Sequence, residues 1–184
     1  MNTRRYTYKF LLLSLLAISC SKDDAPEPDT GRNYVAFTVQ GARANGSYHI
    51  EKTDPASGVM AGCVYLPADA QRGEDAKVSL TLMDYGAPVG MTLVVPATEQ
   101  RTQIIRDNPH AFELGFVFDF GPMATSEVSV HVTDLELREG YPMALVTRIK
   151  GSFEGVVFHA HTENGQRIEE NHTVAGEFEY NMPQ

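Results

Sequence analysis

Gly151-Ser152-Phe153-Glu154-Gly155-Val156-Val157 and Val174-Ala175-Gly176-Glu177-Phe178-Glu179-Tyr180, with Asn164-Gly165 between them, decide the fold of this 184-residue chain. Both runs carry the β-branched and aromatic residues that suit a pleated, half-buried surface, and Asn-Gly supplies the two left-handed positions of a tight hairpin turn. The spacing predicts two antiparallel strands meeting at 164–165. Upstream, period-two alternation recurs. Val128, Val130 and Val132 share one side of a run, Phe112, Leu114, Phe116, Phe118 and Phe120 share one side of another, and Val78, Leu80 and Leu82 share one side of a third.

Shorter β-rich runs at 34–40, 47–52, 91–95 and 143–149 lie between turn signals such as Asp54-Pro55, Gly86-Ala87-Pro88 and Gly121-Pro122. No segment repeats at 3.6 residues, so any helix is a short turn, at 69–75 or 98–107. The apolar phase slips from Val132 to Leu135 across Thr133-Asp134, and from Phe153 to Val156 across Gly155, as a strand does at a bulge or corner. The expected fold is all-β, an antiparallel β-sandwich of about nine or ten strands, immunoglobulin-like or jelly-roll-like, formed by residues 34–184 as a single domain.

The N-terminal residues carry an address. Arg4, Arg5 and Lys9 precede the apolar run Phe10 to Ile18, which is too short to span a bilayer and has the layout of a signal peptide over residues 1–19. Leu16-Ala17-Ile18-Ser19-Cys20 resembles the lipobox of bacterial lipoproteins, which implies a diacylglycerol thioether on Cys20, further acylation such as palmitate, and Cys20 as the first mature residue. Ser21-Lys22-Asp23-Asp24 resembles the acidic export signal of Bacteroidetes surface lipoproteins, which implies a lipid-anchored, cell-surface-exposed position at the outer membrane. Two acyl chains suffice for stable anchoring, each buried methylene contributing roughly 0.8 kcal/mol. Residues 20–33, with Asp23, Asp24, Pro26, Glu27, Pro28, Asp29 and Gly31, have the composition of an acidic, flexible tether.

A second resemblance lies at the other end. The order of the Val128 to Val132 strand, Ile149-Lys150-Gly151-Ser152-Phe153-Glu154-Gly155 and Val174-Ala175-Gly176-Glu177-Phe178 is similar to the C-terminal pattern of many small uncharacterised Bacteroidetes lipoproteins. That resemblance implies a surface β-sandwich and no agreed activity.

The precursor's net charge is −9, and because Arg4, Arg5 and Lys9 are the only charged residues of the signal segment, the remainder stands at −12. This is the wrong sign for nucleic acid. With Cys20 given to lipid, Cys63 has no partner for an intrachain disulfide, and its apolar neighbours Val59 to Leu66 suit a small buried thiol.

The one ligand-like cluster is His159-Ala160-His161, since residues i and i+2 of a strand point the same way. Two imidazoles can share a divalent metal there, with Glu163, Glu169, Glu170 or His172 completing the shell. Against it, an inner face made of Val156, Phe158 and Ala160 puts both histidines in water. His131, between Val130 and Val132, is likewise expected outside. No G-x-S-x-G, H-E-x-x-H, P-loop or dinucleotide glycine pattern occurs, and no catalytic residue is nominated. The expected function is that of a non-catalytic surface lipoprotein, a binding or structural module needing no cofactor, with an envelope protein, a host protein or a glycan as partner. Its contacts are expected on loops at 84–89 and 163–172, with Tyr48, Tyr65, Tyr85 and Tyr141 available for sugar stacking. The alternatives are a small-ligand or divalent-metal protein using His159 and His161, with a metal-dependent hydrolase as its extreme form, and a glycan-binding accessory protein.

Overall fold

In a computed structural model describing residues 31–182 apart from 43, 88, 99–100, 107, 109–110, 117–120 and 141–142, the decisive hairpin closes where its sequence predicts. Asn164 and Gly165 both take positive φ, 50° and 80°, and the flanking strands pair in register from Glu163 opposite Gln166 to Arg148 opposite Asn181. The signal segment, Cys20, Ser21, Lys22, Asp23, Asp24 and the tether up to residue 30 lie outside the described residues, as do His110, Phe118, Phe120 and Tyr141.

Among the described residues ten strands follow one another: β1 (Asn33–Gly41), β2 (Asn45–Lys52), β3 (Val59–Leu66), β4 (Lys77–Asp84), β5 (Val89–Pro96), β6 (Arg101–Arg106), β7 (Phe112–Phe116), β8 (Met123–Arg138), β9 (Leu145–Glu163) and β10 (Gln166–Asn181). All pairings are antiparallel, in the order β2-β1-β10-β9-β8-β7-β5-β4-β3, with β6 also on β8. Sequence neighbours are mostly spatial neighbours, and β1 takes its place beside β10. The all-β antiparallel expectation of about ten strands holds. Its two layers are two halves of one barrel-like sheet, curled so that β3 and β4 come against β9, β10, β1 and β2. Among the described residues β2 and β3, the two ends of the order, do not pair with each other.

The curl has a local cause. β8 buries Met123 and Thr125, then Val128, Val130 and Val132, then Leu135. Each change of parity coincides with a shift of its register against β9, between Thr125 and Glu127 and between Val132 and Asp134. An extra residue on one strand bends it and tightens its twist, so the sheet turns over at β8. Of the two expected phase slips, the one at Thr133-Asp134 is present. The one at Gly155 is not: β9 keeps one parity through Ile149, Phe153, Val157 and His159, and the extra residue near that point is Ser126 on the neighbouring strand.

Residues 101–106, expected as a helical turn, form β6. The β-branched Thr102, Ile104 and Ile105 favour extended backbone, and Ile105 is buried opposite Val128. Residues 69–75 form a tight turn in which Asp69 Oδ1 accepts the backbone N–H of Gln71 and Arg72, an aspartate-led turn rather than a helix. The core is joined across the two halves by aromatic rings. Phe153 of β9 lies 4.9 Å from Phe112 of β7 and 6.5 Å from Phe37 of β1, centroid to centroid.

Candidate functional site

His159 and His161 stand on the inner side of β9, where the strand's unbroken parity carries them, and the expectation that both lie in water is corrected. His159 is 6% exposed and Ala160 is exposed instead. The rings stack, 5.7 Å apart and 11° from parallel. Register places His159 opposite Glu170, His161 opposite Ile168 and Val157 opposite His172, so these side chains share one face of the hairpin. Glu169, opposite Ala160, belongs to the other face, and Glu163 adjoins the turn. Among the described residues no three His, Cys, Asp or Glu side chains converge in a way that would hold a metal ion.

His172 has a structural role that sequence reading did not give it. Its Nδ1 lies 3.0 Å from the Glu170 carbonyl and its Nε2 lies 3.4 Å from the Ala44 amide. Both contacts are satisfied by one neutral tautomer, with Nδ1–H donating and Nε2 accepting. The ring covers Gly41 so closely that a Cβ there would overlap it. His172 thereby pins the β1–β2 connection to β10. His131 is exposed, as expected, with its Nδ1 2.8 Å from the Thr102 hydroxyl.

The outer side of the half formed by β2, β1, β10 and β9 is charged. Its buried centre is Glu179, with Lys150 at 3.5 Å, Arg148 at 3.8 Å and the Asn181 side-chain amide donating at 3.0 Å; Arg148 also meets Asp134 at 3.0 Å. The backbone N–H of Asn181 donates to Asn33 Oδ1 at 2.7 Å, which ties the two ends of the described chain together. Nearby, the Tyr34 phenol donates to Glu177 at 3.2 Å. Burial first, and the Glu177 carboxylate second, hold that phenol above its ordinary range. Where the side chains shrink to Ala36, Thr38, Ser47 and Ala175, between His49 and Glu177, a shallow depression of about 390 Å³ opens.

The outer side of the other half differs. Along β3 it presents Met60, Gly62, Val64 and Leu66, with Met60 41%, Val64 52% and Leu66 41% exposed. Register continues this face through Ser79, Thr81 and Met83 on β4 and Thr92 and Val94 on β5, with Lys77 and Glu113 as the charges at its margins. Tyr85, in the β4–β5 connection, extends the apolar end, its hydroxyl 3.8 Å from the Met60 sulfur. On the inner side of the same strand, burial pushes the Cys63 thiol up to about 12, which keeps it protonated and inert.

The expected contact loops are only partly loops. Tyr85 to Ala87 form a turn, whereas Gln166 to His172 are strand β10, and Tyr48 and Tyr65 lie within β2 and β3. Alternation alone does not distinguish an uncharged outer face from a core, which is why sequence reading missed the Met60, Val64 and Leu66 surface; the useful signal was eight successive residues without a charge at what became a sheet edge. No protein-family model, curated protein or solved structure matches this chain.

Proposed function

We propose that this chain is a non-catalytic, lipid-anchored cell-surface lipoprotein that serves as a binding or structural module of the outer envelope, with the uncharged outer face of β3, β4 and β5 as its docking surface. One observation carries the reading. A chain of strongly negative charge devotes one face to Met60, Val64, Leu66 and Tyr85 in water, and contiguous exposed apolar surface of that kind is characteristic of contact sites. The anchor sets where such a surface works. Cys20 and Asn33 are thirteen residues apart, a span of at most about 45 Å even fully extended, so the partner belongs to the same membrane surface or reaches down to it.

Two measurements test this. Cys20→Ser is expected to release the protein from the membrane fraction, and a Cys20→Ser chain that stays membrane-bound after a high-salt wash sinks the anchoring. A photo-crosslinking residue at position 64 on intact cells is expected to capture a partner that the same residue at position 152, on the charged face, does not. Equal capture from both would remove the docking surface.

The second reading, a divalent-metal module, is favoured by the stacking of His159 on His161, with Glu170 opposite His159. It requires these side chains to swing together, and it predicts a rise in melting temperature with zinc, nickel or copper that His159→Ala with His161→Ala abolishes. A melt unmoved by any of the three ions sinks it.

A further inference from the structure

We propose that the edge of β3 that no other strand pairs with among the described residues pairs with β3 of a second copy of this chain, antiparallel about a two-fold axis through Cys63. The inference rests on the reading of the β3 face as a docking surface and names its occupant; it does not depend on the lipid anchor.

Two edges end the strand order, β2 and β3, and they are built differently. β2 carries Glu51 and Lys52 beside the polar His49, and charged residues on an edge discourage another strand from adding to it. β3, Val-Met-Ala-Gly-Cys-Val-Tyr-Leu, has none in eight residues. On a chain of net charge −9, or −12 without its signal segment, an approaching copy is repelled by most of the surface, so an uncharged edge is where two copies meet at least electrostatic cost.

The face of β3 is also self-complementary. An antiparallel pair centred on Cys63 sets Met60 opposite Leu66 of the partner subunit and Gly62 opposite Val64 of the partner subunit, all on the outer side. A Cβ built on Gly62 meets nothing within 4 Å, while Val64, two residues along, is the most exposed side chain of the strand at 52%. Hole and knob thus sit two positions apart on one strand. A second copy running the other way fills each hole with the other's knob, twice, by symmetry. Backbone hydrogen bonds along the joined edges supply affinity, and the knob-and-hole match sets the register.

The test is the mass of the full-length chain in mild detergent, by size-exclusion chromatography with light scattering over a concentration series. Thermal melts of every variant identify any that fails to fold. The wild type is expected to be dimeric. Val64→Lys, which puts a charge on the edge, and Gly62→Val, which fills the hole, are each expected to weaken the dimer at least tenfold while remaining folded. Gly62→Val combined with Val64→Gly exchanges hole and knob and is expected to regain most of the loss. A monomeric wild type, a Val64→Lys chain as dimeric as wild type, or a double variant no better than the singles each overturns the proposal. A monomeric wild type whose position 64 still crosslinks to a different envelope protein would remove the dimer and leave the binding module standing.

Discussion

The two outer faces of this sheet share one backbone geometry and one core, yet one is stapled by charge and the other is left almost free of it. Beneath the charged face, Glu179 is buried against Lys150, Arg148 and Asn181, and the chain's first and last described strands meet there through Asn33 and Asn181. Among the described residues the face of β3 has no comparable network; Met60, Val64 and Leu66 stand in water. A buried carboxylate is tolerated only with its partners in place, so the charged half cannot be altered cheaply. The uncharged half can, and a surface that contributes little to folding is available for contact with something else.

Truncation of the residue both faces depend on has the largest effect. Phe153→Ala removes the ring between Phe112 and Phe37 and is expected to cost about 3–5 kcal/mol, read from denaturant unfolding; a loss below about 1 kcal/mol would mean the two halves are held together elsewhere.

Adding a methyl group separates the halves directly. At Gly176 it would sit 2.6 Å from the Ala36 carbonyl and 2.7 Å from the Phe153 ring, so Gly176→Ala is expected to cost about 3 kcal/mol by overpacking. Gly62→Ala, in open space, should stay within about 0.5 kcal/mol of wild type. Equal effects at the two glycines would erase the contrast.

β3 itself has two faces, and the Cys63 thiol reports on the inner one. With its pKa raised to about 12, only the rare thiolate reacts, so at pH 8 a thiol probe should label the folded protein at least about a hundredfold more slowly than the unfolded chain. The sign follows from the direction of the shift: the folded-state rate keeps rising about tenfold per pH unit through pH 10, whereas a free thiol levels off near its ordinary value of roughly 8.5. A plateau by pH 9 would place Cys63 in water.

Charge changes come last. Glu179→Gln is expected to cost about 1–2 kcal/mol, below the figure for a fully buried pair because Lys150 and Arg148 are partly in water. Val64→Lys on the opposite face, compared with wild type at concentrations low enough to keep both monomeric, should alter folding stability by less than about 0.5 kcal/mol. A larger loss at position 64 than at 179 would invert the comparison.

Much of this architecture was legible in the residues. Asn164-Gly165 specified its own turn, and the bulge at Thr133-Asp134 showed in the shift from Val132 to Leu135, because a change of apolar phase within one strand records a bulge on that strand. His159 was misread for the complementary reason. The successive apolar residues Val156, Val157 and Phe158 hide the parity of β9, which keeps Phe153, Val157 and His159 inside; the extra residue at this point is Ser126 on β8, and the sequence of β9 carries no mark of it. The charged outer face is invisible for a similar cause, since it joins β1 and β2 to β9 and β10 from the other end of the chain; the uncharged face, built from the consecutive β3, β4 and β5, is hidden because alternation alone reads the same for an apolar outer side as for a core.

Local chemistry wrote the strand pattern, the hairpin turn, the acidity, the lipobox-like segment and the absence of charge along Val59 to Leu66 directly into the chain, because each depends on residues within a few positions of one another. Pairing settled the rest. The meeting of β1 with β10, the burial of His159 and His172, and the exposure of Met60, Val64 and Leu66 at a free edge follow from which strands lie side by side. That arrangement is chosen by the packing of the whole core around Phe153, and no short stretch of sequence contains it.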